Sequence, residues 1–115
     1  MSRHSRQMRL ALIGREGQRV IDDATIDVAA GGIEGEVAAR YLAGAGVGKL
    51  RLSSEAAASA ARSLDARVQT AMVSATPPEA MPDLEDLDPA ARSFARGARI
   101  ATRALVAQLA RRRPE

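Results

Sequence analysis

The stretch from Ile26 to Leu52, IDVAAGGIEGEVAARYLAGAGVGKLRL, constrains the fold of this chain more than any other part of it. Thr25 to Ala30 reads as a strand that runs into a glycine-rich turn. Glu36 to Ala43 fits a helix, with Val37, Tyr41 and the small Ala38 and Ala45 available to pack on a sheet. Gly44, Gly46 and Gly48 then end the helix, because glycine tolerates the left-handed conformation that closes one. KLRL, from Lys49, follows as a short alternating strand. Strand, glycine turn, helix and strand together make a βαβ unit, in which such a turn lays the helix N-terminus against a phosphate. Two acids disturb this pattern. Asp27 interrupts a strand that, in the middle of a parallel sheet, would be continuously apolar. The strand is therefore expected near an edge, or with a partner for the carboxylate, since a buried unpaired charge is costly. Glu34 lies among the glycines, where it would repel a phosphate by roughly 4 kcal/mol at about 4 Å and an effective dielectric of about 20.

The remaining elements are read in the same way. REGQRVIDD, after Gly14, fits a short helix with Val20 and Ile21 facing inward. Ser54 is a candidate N-cap for a helix through the following alanine run, with Glu55 in its first turn. Val68, Thr70, Met72 and Val73 have strand character. TPPEAMPDLEDLDP, from Thr76, is proline-rich, acidic and without periodicity, and is expected to be a mobile linker. The last helix starts at Pro89, in its first position, with Asp88 as N-cap. Phe94, Ala98, Ala101, Leu105 and Leu109 form its apolar stripe, and Arg92, Arg96, Arg99 and Arg103 line the opposite side. That side reads as a solvated face. It could also dock on a polyanion, or pair with the acids between Asp83 and Asp88.

Composition limits the chemistry. The chain has 115 residues, no Cys and no Trp, one Tyr and one Phe. Without Cys there is no disulfide, thiolate metal site or thiol catalysis, and His4 has no second imidazole with which to hold a metal. Alanine supplies most of the apolar content, so each core residue buries little area and association with a second subunit would help. Lys49 is the single lysine; the other basic residues are arginines, in a chain of net charge +3. No apolar run approaches membrane-spanning length and no signal segment is evident, so the expected location is the cytoplasm.

The first half carries a more specific pattern. Arg3, His4, Ser5, Arg6 and Gln7 are followed by Gly17-Gln18, the strand and glycine turn, and YLAGAGVG at Tyr41–Gly48. This succession resembles the ThiF/MoeB/HesA family of adenylating enzymes, the bacterial relatives of the ubiquitin-activating enzymes, with spacing that needs no gap. The resemblance implies an α/β, Rossmann-like fold: a small, mostly parallel sheet with flanking helices, to which this chain adds a C-terminal amphipathic helix. It divides the chain into a truncated nucleotide-binding half-domain over 1–75, an acidic proline-rich linker over 76–88 and the helix over 89–113. In the gap-free register Ala30, Gly32 and Gly35 match the family's three turn glycines, Ile33 replaces a further glycine, and Glu34 takes a position that the family fills with an apolar residue. A methyl at Ala30 would cost about 1–2 kcal/mol if its φ had to be positive.

Departures from the family bear on activity. Ser53-Ser54-Glu55 matches the acidic cluster that binds ribose, with Ser54 where the key Asp is expected. The segment that carries the family's phosphate-holding Arg and Lys has no counterpart, nor do its metal-binding Asp and its Cys-x-x-Cys zinc pairs. Adenylation needs positive charge on the departing pyrophosphate and an acid to hold metal. Arg6, which matches an arginine that reaches the partner's nucleotide across the family's dimer, is the one catalytic-type residue retained. The implied cofactor-binding set is Ala30, Gly32, Gly35 and Arg6, with ATP as the cofactor and no zinc. The expectation is a degenerate, non-catalytic copy that dimerises or binds a partner. That partner is a second copy, a full-length ThiF-like paralogue, or a ubiquitin-like sulfur carrier. The alternatives are a residual adenylyltransferase that acts on such a carrier, and an arginine-helix binder of nucleic acid.

Overall fold

The computed structural model describes residues 14–111. Along them run α1 (Gly14–Asp23), β1 (Thr25–Val28), α2 (Gly32–Ala45), β2 (Lys49–Leu52), α3 (Glu55–Leu64), β3 (Gln69–Met72), one 3-10 turn (Pro82–Leu84) and α4 (Pro89–Arg111). The protein is α/β. Its three strands form one parallel sheet in the order β1-β2-β3, with Thr25 beside Lys49 and Lys49 beside Gln69. The motif from Arg3 to Gln7, and Arg112 and Arg113 of the expected last helix, lie outside the described residues.

Side chains in β1 and β2 alternate. Ile26, Val28, Leu50 and Leu52 are buried in one core with Leu42 and the small residues of α2 and α3. Thr25, Asp27, Lys49, Arg51 and Gln69 are exposed on the other face. Parallel strands are usually apolar on both faces because helices cover both; among the described residues this sheet is covered on one. Both parts of the expectation for Asp27 hold. β1 is an edge strand, and the Asp27 carboxylate accepts a hydrogen bond from Arg51, its lateral neighbour in β2, at 3.3 Å.

Helix ends follow their sequence signals. Ser54 Oγ accepts the Ala57 N–H at 3.1 Å, and Asp88 Oδ1 accepts that of Ala91 at 3.0 Å. α2 closes at Gly46, whose φ of 98° suits glycine. The N–H groups of Gly46 and Val47 return to the carbonyls of Ala43 and Leu42, the paired bonds of a Schellman end. Gly44 therefore lies inside the helix. At the other end, α2 begins at Gly32, four residues before the helix expected from the sequence, so the glycine turn forms its first turn.

Two expectations for the C-terminal third are corrected. α4 packs along α2, but its buried side is set by Gly97, Ala101 and Arg96, with Ile100, Ala104, Leu105 and Leu109 partly covered. Phe94 does not join this stripe; it is 54% exposed, with an edge-on contact to Tyr41 at a centroid distance of 6.0 Å. The cause is the close crossing at Gly97, where a Cβ would lie 2.6 Å from Val37 Cβ and 2.8 Å from the Glu34 carbonyl oxygen. That approach turns Gly97 inward and leaves Phe94 at the margin. The proline-rich segment is also anchored rather than a free linker: Met81 is buried to 2% exposure, and its acids reach α4.

Candidate functional site

In an open parallel sheet, ligands bind outside the carboxyl ends of the strands, where the chain passes into the crossover helices. Here that region holds the turn from Ala29 to Gly32, the start of α2, and Ser53 and Ser54 after β2. Ala30 lies in this turn, and Gly32 and Gly35 in the first turn of α2 beside it; Arg6 lies outside the described residues.

The turn brings the start of α2 close against the end of β1. A Cβ on Gly35 would stand 2.3 Å from the Ala30 carbonyl oxygen, so only glycine lets the helix lie this close to the strand end. Gly32 has φ +60°, and nothing lies within 4 Å of the place its Cβ would take. Ala30 carries no strain: among the described residues no non-glycine residue has positive φ. Gly31 caps α2 with extended backbone and no side-chain bond.

The chain's own groups occupy what surrounds this turn. Ser53 Oγ donates to the Ala30 carbonyl at 2.9 Å, and Ser54 caps α3. Glu55 is held at 2.6 Å by Arg62, which also donates to Thr70 Oγ1. After β3 the backbone crosses the carboxyl edge as a strap. Val73 N–H bonds the Leu52 carbonyl at 2.8 Å, and Thr76 N–H bonds the Ala29 carbonyl, at the mouth of the turn, at 3.0 Å.

Arg96 locks the strap to the turn. Its side chain is 7% exposed; Nε donates to Glu34 Oε2 at 2.8 Å, and a terminal nitrogen donates to the Glu79 carbonyl. Glu34, the intruding acid of the sequence, thus faces an internal guanidinium, and as a first-turn acid it also complements the positive end of α2. The rest of the expected arginine face is engaged as well. Arg103 meets the Glu79 carboxylate at 2.6 Å, Arg99 grips Asp83 with two bonds of 2.9 and 2.6 Å, and Arg92 lies 3.7 Å from Glu85. The Arg99 bonds hold the Asp83 carboxyl below its ordinary range, with the charges of Arg99 and Arg103 adding to the effect and desolvation opposing it.

Arg96 is the residue of this region that helical spacing conceals, because it shares that spacing with Arg92, Arg99 and Arg103, which reads as a solvated face. The available signal was Glu34, an acid at a position expected to be apolar that needed a counter-charge from elsewhere in the chain. No group of His, Asp or Glu capable of holding a metal ion occurs among the described residues, and none of their helices is long and apolar enough to cross a membrane. No family model matches the chain, and neither the curated proteins nor the solved structures contain a match to it.

Proposed function

We propose that this chain is a shortened relative of the ThiF/MoeB-type adenylating enzymes, built on a Rossmann-like half-domain, that works as a partner-binding module and not as an ATP-using enzyme. The observation that carries this reading is the Arg96 lock. A nucleotide phosphate at the α2 turn would face the Glu34 carboxylate, and the guanidinium best placed to receive it is already bonded to that carboxylate and to the strap. The absence of the phosphate-holding Arg and Lys, and the local roles of Ser53 and Ser54, point the same way. Binding ATP here would require displacing Thr76 and Glu79, which breaks the Thr76 N–H bond to the Ala29 carbonyl, the Arg96 bond to the Glu79 carbonyl and the Arg103–Glu79 ion pair.

The test is ATP–pyrophosphate exchange with the purified chain, together with calorimetric titration of ATP. The expected result is no exchange above that of an Arg6→Ala control and no heat of binding. Exchange well above that control would establish the alternative, a residual adenylyltransferase of a ubiquitin-like or sulfur-carrier protein. The nucleic-acid reading is disfavoured because Arg92, Arg96, Arg99 and Arg103 all have acidic or carbonyl partners within the chain.

A further inference from the structure

The strap is held in the manner of a ligand. Every residue over 74–80 is exposed. Among the described residues one backbone bond, from the Thr76 N–H to the Ala29 carbonyl, ties this stretch to the sheet. Pro77 and Pro78 have no N–H with which to add another. The remaining contacts come from side chains of α4: a terminal nitrogen of Arg96 donates to the Glu79 carbonyl, and Arg103 holds the Glu79 carboxylate at 2.6 Å. Met81, 2% exposed, seats the far end. A segment with one buried apolar side chain and one backbone bond opens well before the core does. Opening leaves a defined surface. Arg96 Nε stays on Glu34 at 2.8 Å, so the guanidinium keeps its place while its terminal nitrogen is released. The Ala29 carbonyl, Arg103 and the hollow left by Met81 are uncovered with it. All of this lies outside the carboxyl ends of the strands, where open parallel sheets take ligands.

From these contacts we infer that the strap is an autoinhibitory stand-in for an extended segment of a partner protein, which displaces it and makes the same contacts. The strap defines the chemistry of that segment. It offers an N–H to the Ala29 carbonyl. Three residues on it carries an acid for Arg103, whose own carbonyl meets Arg96. Two residues further it places a large apolar side chain in the hollow. Arg103, whose carboxylate partner leaves with the strap, supplies the charge that selects the acid. The tethered strap competes at an effective concentration of about millimolar, so only a segment that holds the open site better displaces it. The inference rests on the partner-binding reading and needs no nucleotide in the crevice.

Two measurements on the full chain test this. In hydrogen exchange of the wild type, the Thr76 amide should be roughly a hundredfold less protected than that of Leu50 in the central strand. Equal protection overturns the proposal, because the strap then opens only with the whole fold. A fluorescein-labelled peptide of residues 74–83 should bind a Met81→Ala chain, whose own strap is weakened, roughly tenfold more tightly than the wild type. The same peptide carrying Glu79→Lys should bind that chain roughly tenfold more weakly. Should Met81→Ala fail to fold, Glu79→Gln, in the exposed part of the strap, serves in its place. No binding to the weakened chain, equal binding to both chains, or indifference to Glu79→Lys overturns the proposal. ATP–pyrophosphate exchange is read separately: exchange above its control overturns the partner-binding reading, whereas absent peptide binding without exchange overturns the stand-in alone.

Discussion

Glu34 and Asp27 lie seven positions apart, on either side of the same strand–turn junction, and each meets an arginine. The two pairs do different work. Arg96–Glu34 is largely enclosed, with side chains 7% and 21% exposed, and it joins elements 62 residues apart in sequence. Arg51–Asp27 lies on the open face, with side chains 45% and 48% exposed, and links neighbouring strands that backbone bonds already hold in register. The first is a tie that decides where the strap and α4 sit. The second neutralises an acid on a face that water reaches anyway. Charge on a sheet or a turn thus takes its meaning from what the partner residue would lose if the pair were broken.

The comparison predicts its largest effect at the enclosed pair. Arg96→Ala leaves Glu34 without its counter-charge in a mostly dry site and frees the Glu79 carbonyl, so it should cost about 3 kcal/mol in urea unfolding. It should also speed amide exchange at Thr76, whose N–H bonds the turn. The double variant Arg96→Met with Glu34→Leu removes both charges and should recover most of that loss. If the double variant is as unstable as Arg96→Ala, the strap depends on the guanidinium's bond to Glu79 and not on the ion pair.

The open face should respond far less. Asp27→Ala removes an exposed pair, for which about 0–1 kcal/mol is the usual range, and 0.15 M salt should shrink the difference further. A loss comparable to that of Arg96→Ala would mean that this face is covered in solution, and the comparison would fail.

How much of this was legible in the sequence follows from the range of each signal. Local patterns placed the elements well: the Ser54 and Asp88 caps, the strand at Lys49 and the ending of α2 all rest on residues a few positions apart. Asp27 was informative because a charge in a parallel strand permits few solutions, and the edge position with a neighbouring arginine is among them. Arg96 was not legible, because its helical spacing matched Arg92, Arg99 and Arg103, and only the close crossing at Gly97 turns it inward. The strap is hidden in the sequence for a related reason. Its lack of periodicity leaves room for no more than the short 3-10 turn over Pro82–Leu84, but anchoring by the buried Met81, the Thr76 N–H and single ion pairs leaves no periodic trace.

The smallest predicted effect lies at the far end of the strap, where the exposed Asp83 meets Arg99. Two guanidinium bonds lower the folded-state pKa of Asp83 from its ordinary 3.8. A carboxyl whose folded pKa is depressed contributes its stability above the unfolded pKa and loses it as pH falls through the folded value. The contact should therefore be complete at neutral pH and fade only in the acid range below about 4. Carbon-detected titration of the Asp83 carboxyl should give a midpoint below 3.8, and Arg99→Ala should move it back towards that figure. An unshifted midpoint in the wild type would mean that the Asp83 end of the strap is loose in solution, leaving Arg96, Thr76 and Met81 to hold it across the carboxyl edge.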